Sequence, residues 1–174
     1  MTVTVRPAVV ADAPEIARIH VASWQAAYEG LLPDDFLAGL SAAAREPFWA
    51  RDLAAPAPHH TVLVAADPGG SLTGFAATNP SRDGDADPTT GELAALYLLR
   101  SQWHRGVGRL LHAAAVDTLT PRFTTATLWV LATNTRARTF YERAGWASDG
   151  RTKVEPLADG AVAVEEVRYR RSLG

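Results

Sequence analysis

The stretch Gly91-Glu92-Leu93-Ala94-Ala95-Leu96-Tyr97-Leu98-Leu99 constrains the fold more than any other. It is apolar at nearly every position and lacks the alternation of a strand with one wet face. It therefore reads as a strand in a sheet covered on both sides. It runs through a polar turn, Arg100 to Arg105, into Gly106-Val107-Gly108-Arg109, where a helical pattern begins with Val107, Leu110, Leu111 and Ala114 on one side. A helix start leaves its first N–H groups without partners and carries partial positive charge. Glycines there let a ligand approach the backbone. The turn is thus an anion cradle, best suited to phosphate or pyrophosphate, with Arg105 and Arg109 adding charge. Taken alone, it could equally be a tight connection with exposed arginines. It is not a dinucleotide fingerprint, because the third glycine and the later acid are missing. It is not a P-loop, because no Gly-Lys-Ser/Thr follows.

The remaining pattern surrounds this unit with a mixed α/β (α+β) order. Thr2–Arg6 reads as a strand. Asp12 is expected to cap a helix, with Pro14 in its first turn and Glu15 completing a capping box. Ile16, Ile19, His20, Ser23, Trp24 and Ala27 fall on one face of that helix, and Gly30 ends it. Residues 33–40 form a short helix, and residues 42–53 a further one interrupted by Pro47. Strands at 61–66 and 72–78 flank the turn Asp67-Pro68-Gly69-Gly70. Residues 79–90 are a polar loop. A helix over 106–119, a strand over 126–131 and a helix over 135–144 capped by Gly145 follow. A last strand pair, 146–154 and 161–170, turns at Ala158-Asp159-Gly160. The expectation is one domain, residues 1–174, around a mixed, mostly antiparallel sheet of about seven strands flanked by helices.

Composition removes several functions. A net charge of -2 gives no basic field for nucleic acid or an anionic membrane. With no cysteine, disulfides, thiolate metal sites and a cysteine nucleophile are excluded. The N-terminus lacks a signal-peptide pattern and no apolar run is long enough to span a membrane, so a cytoplasmic protein is expected. Lys153 is the only lysine, which reads first as a composition effect. His59 and His60 have no third ligand nearby, and no metal is expected.

The block Thr133-Asn134-Thr135-Arg136-Ala137-Arg138-Thr139-Phe140-Tyr141-Glu142-Arg143-Ala144-Gly145-Trp146 changes the weight of the cradle. Together with the loop Trp103 to Gly108 and the opening Val5-Arg6-Pro7-Ala8 followed by Asp12, it resembles the GNAT superfamily of N-acetyltransferases over nearly the whole chain. The resemblance departs at Trp103, where the family usually has Gln or Arg, and at His104, where many members have Gly.

The resemblance implies an acetyl-CoA-dependent transfer to a primary amine by direct attack on the thioester. The cradle for the pyrophosphate would be Trp103, His104, Arg105, Gly106, Val107, Gly108 and Arg109, chiefly through backbone N–H groups. Leu96, Tyr97 and Leu98 would offer backbone contacts to the pantetheine and the thioester oxygen, and Asn134 would bond the pantetheine arm. Asn134 also suits a plain helix cap. Tyr141 would serve the leaving thiolate as acid. Glu92 is expected as general base, sharing a face with Ala94, Leu96 and Leu98 if no bulge intervenes. His20 is a weaker alternative, more in keeping with a satisfied core histidine. Trp24 and Tyr28, with Phe36, would line the acceptor pocket. The acceptor is a small-molecule or peptide amine of unknown identity, and homodimers are frequent in the family. The competing reading is a non-catalytic CoA-binding regulatory module. A nucleotide-binding protein has little support.

Overall fold

The computed structural model describes residues 2–157 and 160–174. One seven-stranded sheet has the order β1-β2-β3-β4-β5-β7-β6. Its strands are β1 (Thr4–Pro7), β2 (Thr61–Ala66), β3 (Leu72–Pro80), β4 (Thr90–Leu98), β5 (Thr125–Leu131), β6 (Ala147–Leu157) and β7 (Val162–Ser172). Only β4 and β5 run parallel; every other pairing is antiparallel. The helices are α1 (Ala13–Ala27), α2 (Asp34–Ala38), α3 (Ala42–Ala54), α4 (Val107–Leu119) and α5 (Thr135–Arg143). The expected turn at Ala158 and Asp159 lies outside the described residues.

Two apolar layers cover the sheet, as the unbroken apolar run of β4 requires. Ile16, Ile19 and Trp49 of α1 and α3 pack on Val62, Val64, Phe75 and Ala77. On the other face Leu111, Ala115 and Leu119 of α4 pack on Leu63, Ala76, Leu93 and Leu128. Gly91 is set by that second layer. A Cβ there would lie 2.7 Å from the Phe123 ring and 2.8 Å from Leu119. The buried Tyr169 hydroxyl donates to Glu142 and accepts from Arg138, which fastens α5 to β7.

Several local expectations are corrected. The Asp12–Glu15 capping box does not form. Arg6 of β1 takes both oxygens of the Asp12 carboxylate at 2.7 and 2.9 Å, and Val9 N–H donates to it as well. These charge-assisted bonds hold the carboxyl below its usual range. Glu15 instead accepts from Leu72 N–H at 3.0 Å, tying α1 to the start of β3. Pro47 does not interrupt α3, because it lies on the exposed side where water can satisfy the freed carbonyl.

The correction that matters most is in β4. Ala77 pairs with Ala95 and Thr78 with Leu93, so Ala94 is the extra residue of a bulge. A bulge shifts the side-chain alternation by one. Glu92 therefore shares its face with Ala95 and Tyr97, on the α1 side, and not with Leu96 and Leu98, which join the α4 layer.

Candidate active site

The β4–β5 ladder stops at Glu92 and Thr127, although both strands continue, to Leu98 and Leu131. The two strands splay, and their facing edges carry backbone groups with no strand partner, which need water or a ligand. A cleft of about 1030 Å³ opens there. Its walls include Trp24, Tyr28, Glu92, Leu96, Tyr97, Leu98, Trp103, His104, Gly106, Gly108, Arg109, Asn134 and Tyr141. The fold thus gathers almost every residue singled out in the sequence. Arg105 stands exposed on the loop, and the Val107 side chain is buried in the α4 layer, so only its backbone can serve a ligand.

At one end of the cleft, α4 begins at Gly106, which holds φ at +83°. Among the described residues, the N–H groups of Gly106, Val107, Gly108 and Arg109 donate to no protein acceptor. His104 is also left-handed, with φ at +61°. The position that GNAT members often fill with glycine is thus strained here. Trp103 Nε1 donates to the Leu98 carbonyl at 3.3 Å, which pins the loop to the end of β4.

In mid-cleft three phenols approach one another. Burial pushes Tyr28, Tyr97 and Tyr141 upward, helped at Tyr28 and Tyr141 by the neighbouring phenols and at Tyr97 by Glu166, so each keeps its proton at neutral pH. The Tyr141 hydroxyl makes no hydrogen bond among the described residues. Asn134 caps α5, its Oδ1 accepting from Ala137 N–H at 3.1 Å, while its Nδ2 has no protein partner there. Both the cap and a ligand contact are open to one side chain.

At the other end, Glu92 is buried and clamped. Arg82 donates from Nε and Nη2 at 3.1 and 3.0 Å, and Asn79 donates at 3.1 Å. Sequence reasoning missed the rest of this end: Arg82, Trp129, Lys153, Glu155 and Glu166 all line the cleft. The strand alternation carried the signal, since Trp129, Glu166 and Lys153 are cross-strand neighbours on one sheet face. The register that brings them together was not readable. Lys153 sits 4.6 Å over the Trp129 ring and bridges Glu155 and Glu166 at 3.4 and 3.3 Å. The chain's only lysine is thus a feature of the cleft. Desolvation raises the Glu166 carboxyl, Lys153 opposes this, and Glu155 and Glu92 add to it.

His20 stacks on Tyr97 with centroids 5.2 Å apart, among Trp24, Trp49 and Phe75. Burial, with Arg45 nearby, lowers it to about 3. It stays neutral and makes a poor base. Its Nδ1 is buried without a partner, so it is not the satisfied core histidine expected. His60 pairs with Asp52 at 2.7 Å, away from the cleft.

Comparison with known proteins fits this geometry. A model of the Acetyltransferase (GNAT) family matches residues 19–146. The uncharacterized N-acetyltransferase YuaI of Bacillus subtilis is 37% identical over 134 residues, covering 76% of this chain and 73% of that one. Among solved structures, the PaiA N-acetyltransferase of Thermoplasma acidophilum in complex with coenzyme A superposes with a TM-score of 0.72. It is 18% identical and the match covers 99% of both chains. yncA of Salmonella typhimurium, solved with its cofactor acetyl-CoA, gives 0.72 at 17% identity, covering 100% of this chain and 95% of that one.

Proposed function

The chain belongs to the GNAT family of acetyltransferases, and on that footing we propose that it transfers an acetyl group from acetyl-CoA to a primary amine by direct attack. The carrying observation is one cleft that holds a glycine-started helix with free N–H groups, two splayed strand edges and an unengaged phenol. The fit is chemical: free backbone donors at a helix start suit a pyrophosphate. Acetyl-CoA, when bound, supplies the activated acyl carbon; the remaining tasks fall to side chains and backbone.

Backbone N–H groups of His104 and of Gly106 to Arg109 hold the pyrophosphate, the Arg105 N–H being taken by the Gln102 carbonyl. The open edge at Leu96, Tyr97 and Leu98, with Asn134, aligns the pantetheine and donates to the developing oxyanion. Trp24 and Tyr28 wall the acceptor end, which takes a small-molecule or peptide amine. Glu92 removes one proton from the acceptor ammonium. The neutral nitrogen attacks, the C–N bond forms, and the C–S bond breaks with its electron pair on sulfur. Tyr141 gives the thiolate a proton or a hydrogen bond, and the nitrogen passes its second proton to water as the amide forms.

A second reading gives the first proton to Glu166, and one observation favours it. Both Glu92 oxygens already accept from Arg82, whereas among the described residues Glu166 pairs only with Lys153, and burial raises its carboxyl above the ordinary carboxylate value. The groups facing Glu166 are Lys153 and Glu155 on β6, Glu92 and Tyr97 on β4, and Tyr28 at the end of α1.

Among the described residues no helix is long and apolar enough to cross a membrane, and the reading places the enzyme in the cytoplasm. A homodimer belongs to it too, testable by sedimentation. A panel of amines assayed by release of the CoA thiol tests the transfer, with no cysteine in the chain to add background. Acetylated product from at least one amine is expected. Tight CoA binding with no turnover across the panel would instead mark a non-catalytic CoA-binding module.

A further inference from the structure

Trp103 stands where a side-chain donor to the pyrophosphate is expected. Its N–H is spent on the Leu98 carbonyl, and its ring is left as a platform on the cleft wall. On that platform, 3.3 Å from the ring centroid, lies the guanidinium carbon of Arg136. Arg136 belongs to the first turn of α5, so the stack spans the cleft from α5 to the loop that opens α4.

Three features mark this guanidinium as awaiting an anion. It has no carboxylate and no hydrogen-bond acceptor among the described residues, whereas its neighbour Arg100, also near the Trp103 ring, pairs with Glu29 at 3.1 Å. A cation in the first turn of a helix opposes the helix dipole, so the position does not serve α5. Partial desolvation disfavours its charged form, Tyr28 opposes this, and Arg100 adds to it as a like charge. Stacking on the indole limits how far the long side chain can wander, and so prepares the guanidinium fork for a phosphate.

We propose that Arg136 is a ligand of the cosubstrate's pyrophosphate, delivered across the cleft by Trp103, so that a stacked pair replaces the side-chain donor the loop lacks. The inference rests on the acetyl-CoA reading of the cleft. Arg136 and the N–H groups of Gly106 to Arg109 then face the same diphosphate from opposite walls. The contact stabilises bound cosubstrate and leaves the acyl transfer itself untouched.

Calorimetric titration of CoA and of dephospho-CoA tests this on wild type, Arg136→Ala, Arg136→Lys and Trp103→Ala. Arg136→Ala is expected to weaken both ligands by about tenfold, the loss of one charge-assisted contact. Arg136→Lys should fall between, because an ammonium lacks the planar fork. Trp103→Ala should weaken binding similarly, with the double variant little worse than either single one. Binding to Arg136→Ala should also depend less steeply on salt. Arg136 is exposed, so the fold should persist, as an unchanged thermal transition would show. Equal affinity in wild type and Arg136→Ala would overturn the inference and leave the acetyl-CoA reading standing. A loss seen with CoA but not with dephospho-CoA would also overturn it, by moving the contact to the 3′-phosphate. A wild type that binds neither ligand would overturn the reading beneath it.

Discussion

Acid should loosen this protein through His112, and the size of the effect follows from the structure. His112 lies on α4, 6% exposed, and its Nε2 accepts from Trp146 Nε1 at 2.9 Å. Trp146 follows the left-handed Gly145 that ends α5. The bond therefore joins the helix that opens the cradle to the corner that positions Tyr141. Burial, with Arg171 nearby, lowers His112 from 6.5 to about 4. A depressed value means that the folded state favours the neutral ring. The stabilisation is then complete above the unfolded value and is lost as pH falls through the window from 6.5 to about 4. Linkage makes the full effect ~3 kcal/mol, of which ~1.8 kcal/mol disappears between pH 7 and pH 5. For a chain of this size that is a drop of roughly 4–7 °C in transition temperature. His20 adds to the acid loss over a window reaching about 3, so a variant must isolate His112. His112→Gln keeps an acceptor within reach of Trp146 and cannot take the proton. Calorimetry or urea unfolding from pH 7 to 5 should show a shallower loss for His112→Gln by about the amount given, whatever its stability at pH 7. An identical loss in wild type and variant would refute the argument.

Tyr141→Phe should lower kcat by about 10- to 100-fold with CoA affinity unchanged, and unchanged turnover would remove Tyr141 from the role of acid. Because Tyr141 is pushed above its ordinary 10, wild-type kcat should show no alkaline fall from this group below about pH 10. Glu92→Gln should remove the acid limb of kcat/KM and Glu166→Gln should leave it; the reverse outcome would give the proton to Glu166, whose carboxyl burial raises. His104→Gly should stabilise the fold by about 0.5–1 kcal/mol, since relief of a left-handed non-glycine outweighs the entropy of glycine, and a lower transition temperature would contradict this.

The parts legible in the sequence were those governed by local rules. The apolar run of β4, the glycine-opened helix and the Asn134–Tyr141 block each specify their own structure, and together they located the cleft. What escaped lay outside the helix and strand patterns. The Asp12 cap failed because Arg6 of β1 and the Val9 N–H took its carboxylate. Glu92 changed face because a single bulge at Ala94 shifted the alternation, and nothing in Glu92-Leu93-Ala94-Ala95 announces it. Glu166 and Lys153 sit on β7 and β6, and only the sheet order, with β7 inserted between β5 and β6, carries them to the Glu92 end of the cleft. Trp103 looked like a lost donor until Arg136, remote in sequence, was found stacked on it.

Every step of the proposed transfer depends on acetyl-CoA binding at the splayed β4–β5 edge and the Gly106 helix start. The most direct measurement is a calorimetric titration of acetyl-CoA into wild type and into Gly106→Val, which replaces the +83° residue with a β-branched one. A dissociation constant on the order of micromolar is expected for wild type, in the range of common KM values, and a loss of tenfold or more in a variant that remains folded. No binding by wild type at millimolar acetyl-CoA, or equal binding by a folded Gly106→Val, would contradict it.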